Sequence, residues 1–183
     1  MPPNATTDLV TDHEDINALM DRLDPALEAG DPEAALRQLD VLWARLGVHI
    51  RSEHLLTFEA LREARPSGSD VSEGELEETH LRLREDHDLF MRELSAVAKL
   101  LKEHRGINED APMPAGMTDH VREHLDRVLR VLDTHTGVEE QRGYPWREKW
   151  LSPEKQEMIR EQMRYQLDNV PARFALEAGS EEG

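Results

Sequence analysis

The stretch His49-Ile50-Arg51-Ser52-Glu53 sits in the middle of a long helical pattern, and a near copy, His135-Thr136-Gly137-Val138-Glu139, recurs further along the chain. Each is a histidine followed four residues later by a glutamate. On an α-helix, positions i and i+4 share a face, about 6 Å apart. An imidazole and a carboxylate placed in this way can reach one metal ion, or two adjacent ones, from the same helix. One such pair is an ordinary surface feature. Two pairs, each embedded in an apolar stripe, point to a dinuclear metal centre inside a helix bundle.

Outward from these pairs the chain reads as helices throughout. The first helix begins near Thr7 or Thr11, where Thr11-x-x-Glu14 has the form of a capping box. Its stripe is Leu9, His13, Ile16, Met20, Leu23 and Leu27, and Pro25 is expected to kink it. Gly30 ends it, and Asp31-Pro32-Glu33 starts the next with an N-cap, a proline at the first helical position and an acid in the first turn. The second helix, 32–64, turns Leu36, Leu39, Leu42, Leu46, His49, Glu53, Leu56 and Ala60 inward. Beyond Pro66-Ser67-Gly68, Ser72-x-x-Glu75 opens a third helix reaching about residue 104, with Leu76, His80, Leu83, His87, Phe90, Leu94, Val97 and Leu101 on one face. A loop from Gly106 to Gly116 leads to a fourth helix from near Thr118, carrying Val121, Leu125, Val128, Leu132, His135 and Glu139. Gly143-Tyr144-Pro145-Trp146 is expected to end it. Ser152-Pro153-Glu154 starts a fifth, with Met158, Ile159, Met163, Gln166 and Val170 on one side.

The expected architecture is all-α. An antiparallel up-down-up-down four-helix bundle covers 8–143, and an additional C-terminal helix within 144–177 packs on the bundle or at an oligomer interface. Residues 1–7 and 178–183 are expected to be flexible tails.

Composition agrees with helices. The 183 residues suit one domain. Leu, Glu, Arg and Ala are abundant and aromatics make up 4%. With 22 basic against 39 acidic residues the net charge is −17, which argues against nucleic acid and anionic membrane surfaces as partners. There is no bilayer-length apolar run and no signal peptide is visible, so the expected location is cytoplasmic. The absence of cysteine excludes disulfides, thiolate metal sites and iron–sulfur ligation.

The bundle reading can be tested on the histidines. In antiparallel helices, residues equally far from a shared turn lie at equal height. His13 and His49 are equidistant from a turn near Asp31, His49 and His87 from one near Gly68, and His87 and His135 from one near Ala111. Four histidines, one per helix, therefore fall at one level on inward stripes. Glu53 and Glu139 lie one turn further along helices that run the same way, on one side of that level. Two carboxylates and four imidazoles in an apolar core carry a large desolvation penalty that cations would remove. Oxygen and nitrogen donors without sulfur favour iron or manganese, with zinc possible. Open coordination positions remain for dioxygen, nitric oxide or peroxide.

The pattern His…His-x3-Glu…His…His-x3-Glu over four helices resembles the hemerythrin-like (HHE cation-binding) domains, across roughly residues 8–143. The resemblance implies a non-haem, oxo-bridged centre of two iron ions with ligands His13, His49, Glu53, His87, His135 and Glu139. Family members carry or sense dioxygen, respond to nitric oxide, decompose peroxide or donate iron for cluster repair. Oxygen-carrying members have a second third-helix histidine where this chain has Leu83, and their fourth-helix acid sits five, not four, after its histidine. Both departures place this chain nearer the HHE branch, with scavenging, sensing or stress roles and catalase- or oxidase-like turnover open.

Other residues admit two readings. His80, about 10 Å along the axis from His87, is either a ligand on a distorted helix or a buried, cavity-lining histidine. His120-x3-His124 has ligand spacing but faces outward. His54 reads as a neighbour of the ligands or as surface, and His104 as a helix C-terminal cation. Tyr144 and Tyr165 are candidates to approach the site. Trp43, Trp146 and Trp150 read as packing, and Met158 and Met163 as core or a dimer surface. The expected partner is a small molecule, with the chain a monomer or homodimer. Iron storage or delivery, and a metal-free interaction or phosphotransfer bundle, are the competing functional classes.

Overall fold

A computed structural model describes residues 5–107 and 111–171, with side chains from residue 12 onward. All regular structure among these residues is helical: α1 (Ala5–Asp21), α2 (Leu23–Glu28), α3 (Pro32–Ser52), α4 (Phe58–Ala64), α5 (Glu73–Ile107), α6 (Ala115–Val138), α7 (Tyr144–Trp150) and α8 (Pro153–Asp168). Two five-residue π turns, Glu53–Thr57 and Glu139–Gly143, join α3 to α4 and α6 to α7 without a break. No helix of the described residues is long and apolar enough to cross a membrane.

The punctuation is local chemistry. Pro25 lacks an N–H, and its ring crowds the carbonyl four residues back, which is Asp21, where α1 ends. Gly30 closes α2 with φ +65°, and the Asp31 N–H reaches back to the Ala26 carbonyl at 2.9 Å, a Schellman closure. The Asp31 carboxylate accepts from the N–H groups of Glu33 and Ala34 and so caps α3. Ser72 and Ser152 cap α5 and α8 in the same manner. The first helix starts earlier than expected: Ala5 to Thr7 are already helical, so Thr11 lies inside α1 and is not an N-terminal cap. Residues 1–4 and the expected tail at 178–183 lie outside the described residues.

Contacts between helices run in opposite numerical order. Arg62 meets Glu77, Phe58 stacks on His80 and His54 meets His87, so the segment ending in α4 is antiparallel to α5. Glu93 meets Arg127, Asp86 meets His135 and Thr79 meets Arg142, so α5 and α6 are antiparallel too. α1 and α2 pack on α3, and α8 packs against α3 and α1 of its own chain. The main core joins Leu19, Leu23, Leu39, Leu42, Phe90, Leu94, Val97 and Val128, among others. A second cluster joins Leu61, Leu76, Trp146, Trp150 and Ile159, with the two indoles stacked at 5.7 Å. Met163 is buried while Met158 is 39% exposed.

The fourth helix does not end at Gly143. A π turn carries one extra residue, and the wider turn there accommodates Pro145. The expected boundary between 143 and 144 therefore falls inside continuous helix. The same extra residue after Glu53 rotates the stripe, so Thr57, Phe58 and Leu61 are buried while Leu56 is only partly covered.

Two glycines should respond oppositely to alanine. Gly30→Ala puts a side chain at φ +65° and 3.4 Å from the Met113 carbonyl oxygen, and should cost about 1–2 kcal/mol. Gly47 is helical and has nothing within 4 Å of a new Cβ, so Gly47→Ala should gain up to about 1 kcal/mol. Urea unfolding of both variants checks the signs.

Candidate metal centre

Four helical segments bring His13, His49, Glu53, His87, His135 and Glu139 together in the interior, and none is more than 3% exposed. His49, Glu53, His135 and Glu139 each offer a ligand atom within 4.8 Å of all the others, so this buried cluster could hold a metal ion. His13 and His87 complete two imidazole pairs. His13 Nε2 lies 3.3 Å from His49 Nε2, and His87 Nε2 lies 3.2 Å from His135 Nε2.

Each glutamate spans both pairs. Glu53 sets one oxygen 3.8 Å from His49 Nε2 and the other 3.0 Å from His87 Nε2. Glu139 sets one oxygen 2.9 Å from His13 Nε2 and the other 3.7 Å from His135 Nε2. Glu53 Oε2 is buried without hydrogen-bonding geometry to any donor.

The outer nitrogens are all engaged. His49 Nδ1 donates to Asp12 Oδ2 at 2.6 Å, and His135 Nδ1 to Asp86 Oδ2 at 3.3 Å. Asp12 is itself held by Arg45. His87 Nδ1 pairs with His54 Nε2 at 2.9 Å. The Tyr144 hydroxyl donates to Glu139 Oε2 at 3.3 Å, which leaves its oxygen to accept from His13 Nδ1 at 3.2 Å. With each Nδ1 engaged on the outer side, all four Nε2 atoms point inward. Partners on the outer nitrogen are what orient imidazole ligands to a metal.

Without cations, protons balance the charges. Burial would lower His49, but Glu53, Asp12 and Glu139 outweigh it and raise the group to about 10. Burial likewise opposes His135, which Asp86, Glu139 and Glu53 raise. His87 goes the other way: burial, then the neighbouring His135 and His49, push it down to about 2. Burial would raise Glu53, yet His49, Glu139, His135 and His13 bring it below the usual range. Burial also opposes ionisation of Asp12, but its bond to His49 and the charges of His49 and Arg45 lower it.

The remaining candidates sort by position. His80 is not among the clustered donors. It stacks on Phe58 at 4.3 Å, both ring nitrogens lack partners, and burial pushes it down to about 4. His124 is tied to Glu93 and Arg127, and His120 is exposed. His104 meets the Ala111 carbonyl. Tyr165 is 65% exposed and stays away from the site. Asp12, Asp86 and Arg147 escape a reading by stripes. The two aspartates each directly precede a levelled histidine, a signal weakened by the same doublet at Asp119-His120.

Compared with protein-family models, curated proteins and solved structures, the chain shows no match in any of the three.

Proposed function

We propose that this chain is a hemerythrin-like four-helix bundle that holds two iron ions and binds or reduces a small oxidant, in scavenging, sensing or stress response. The observation that carries the reading is the pair of spanning carboxylates: Glu53 and Glu139 each direct one oxygen at the His13/His49 pair and one at the His87/His135 pair. One ion would need neither carboxylate to face both ways. The donor set of four imidazoles and two carboxylates fits iron, and manganese or zinc can fill the same donors. Bound iron would supply electrons and open coordination positions for the small molecule.

The protein's own part is orientation and exclusion. Asp12, Asp86, His54 and Tyr144 hold the four rings with Nε2 inward. The two π turns begin at the two glutamates themselves, and the second carries Tyr144 from the helix flank into contact with Glu139. Leu61, Leu83 and Phe58 wall the carboxylate side against water. Burial of His13, His49, His87 and His135 weighs against a phosphotransfer role for them, which needs an exposed ring.

Protein expressed with iron supplied should carry close to two irons per chain by elemental analysis, with ligand-to-metal bands in the near-ultraviolet and visible. A folded chain that takes up no iron, manganese or zinc would overturn the proposal.

A further inference from the structure

A cavity of about 10 Å³ is lined in part by Glu53 and Glu139, about the space one water-sized molecule needs. Arg147, His80, Tyr144 and Leu83 complete its polar and apolar walls. Arg147 is 2% exposed and His80 3% exposed. Arg147 Nε and Nη1 and both ring nitrogens of His80 have no hydrogen-bond partner. Unsatisfied donors this deep each carry a desolvation penalty. Their position beside the proposed ions says what would remove it.

The charges set the class of occupant. Burial works against the Arg147 charge, and its neighbours Tyr144, Glu53 and Glu139 balance it only in part. Cations taken up by those glutamates withdraw that balance and leave Arg147 as a buried positive charge facing further positive charge. A neutral gas does nothing to relieve this. A water-sized monoanion relieves it and gives the unpaired N–H groups an acceptor.

Resting on the metal reading above, we propose that this cavity is the ligand chamber of the site and selects a small monoanion, of hydroxide size, over neutral dioxygen or nitric oxide. Arg147 holds the anion by charge-assisted hydrogen bonds and His80 adds an N–H donor. Leu83, one turn before His87, leaves the chamber open where a further histidine would fill it.

The test uses fluoride as a charged, water-sized probe and nitric oxide as a neutral one, on the iron-loaded full chain. Fluoride affinity is read from the shift of the charge-transfer bands and from a fluoride electrode. Arg147→Met should weaken fluoride by about 10-fold to 100-fold at unchanged iron content, and leave nitric oxide affinity as in the parent. Arg147→Lys, which restores a cation, should recover most of the fluoride binding. His80→Phe, which removes the second donor without touching Arg147, should weaken fluoride alone and keeps the question answerable if Arg147→Met fails to fold. Iron-loaded variants with parental fluoride affinity, or with fluoride and nitric oxide weakened equally, would overturn the chamber and leave the metal centre standing. A parent chain without metal overturns both.

Discussion

Glu53→Ala and Glu139→Ala should each lower iron content sharply, from close to two per chain to one or fewer, and by more than any apolar core substitution. Either change removes a carboxylate that faces an inward Nε2 on each side: those of His49 and His87 for Glu53, those of His13 and His135 for Glu139. Loss of a shared ligand weakens both ions at once. The metal-free protein should suffer as well. Glu53 is the chief charge that keeps the buried His49 protonated, and breaking one side of a buried charge pair costs about 3–5 kcal/mol. Loss of stability alone could shed metal, so a control is needed. Leu94 is fully buried on α5 in the main apolar core, seven residues beyond His87. Leu94→Ala should cost about 2–5 kcal/mol, yet retain full iron per folded chain. Elemental analysis and urea unfolding on all three variants separate the effects. Full iron in both glutamate variants would show that neither carboxylate is shared.

The helical stripes were plain in the sequence because burial is what the 3.6-residue period encodes. The α5 face from Leu76 through His87 to Leu101 and the α6 face from Val121 to Glu139 are buried position by position. The common level of His13, His49, His87 and His135 could be counted because the turns at Gly30 and Gly68 carry strong chemical marks, a positive φ at glycine in both. The π turns could not be counted. A π turn inserts one residue through backbone hydrogen bonds and needs no special side chain. Its traces, such as the 59% exposed Leu55 and a proline tolerated at 145, become legible only once the turn is known. Tyr144, one of the two tyrosines that are candidates to approach the site, reaches it by that route: five residues after Glu139, it returns to the ligand face because of the extra residue. Asp12 and Asp86 were missed for a different reason. Each orients a histidine on a different helix, His49 and His135, so no spacing along one helix reveals the pairing. The fold nevertheless repeats one arrangement twice, an Asp-His doublet facing a His-x3-Glu that opens a π turn. The partners are 36 residues apart for His13 and His49 and 48 for His87 and His135, which hides the echo from any fixed-period comparison.

The metal-free protein should be most stable near pH 6.5 and lose stability on both sides, while the metal-loaded protein should lose it on the acid side alone. His49 is raised from 6.5 to about 10 on folding. A raised histidine contributes stability that is complete below its unfolded value and vanishes as pH climbs through its folded value, here between 6.5 and about 10. His135, raised by Asp86, Glu139 and Glu53 against the opposing effect of burial, acts in the same direction. On the acid side the signs reverse. His87 and His80 are lowered to about 2 and about 4, so below 6.5 the unfolded chain takes up protons that the folded one refuses. Glu53 and Asp12, both lowered, add a further loss once pH falls below 4.5 and 3.8. Metal replaces the protons on the alkaline side, since an imidazole must be neutral to bind. Zinc added to metal-free protein at pH 7.5 in weak buffer should therefore release protons, with His49 supplying one per chain. Asp12→Asn removes one of the groups that hold that proton, and should reduce the release. Thermal unfolding from pH 5 to 10, with and without zinc, gives the second readout. An alkaline limb that persists unchanged with metal bound, or zinc uptake without proton release, would mean that the ion sits somewhere other than on His49.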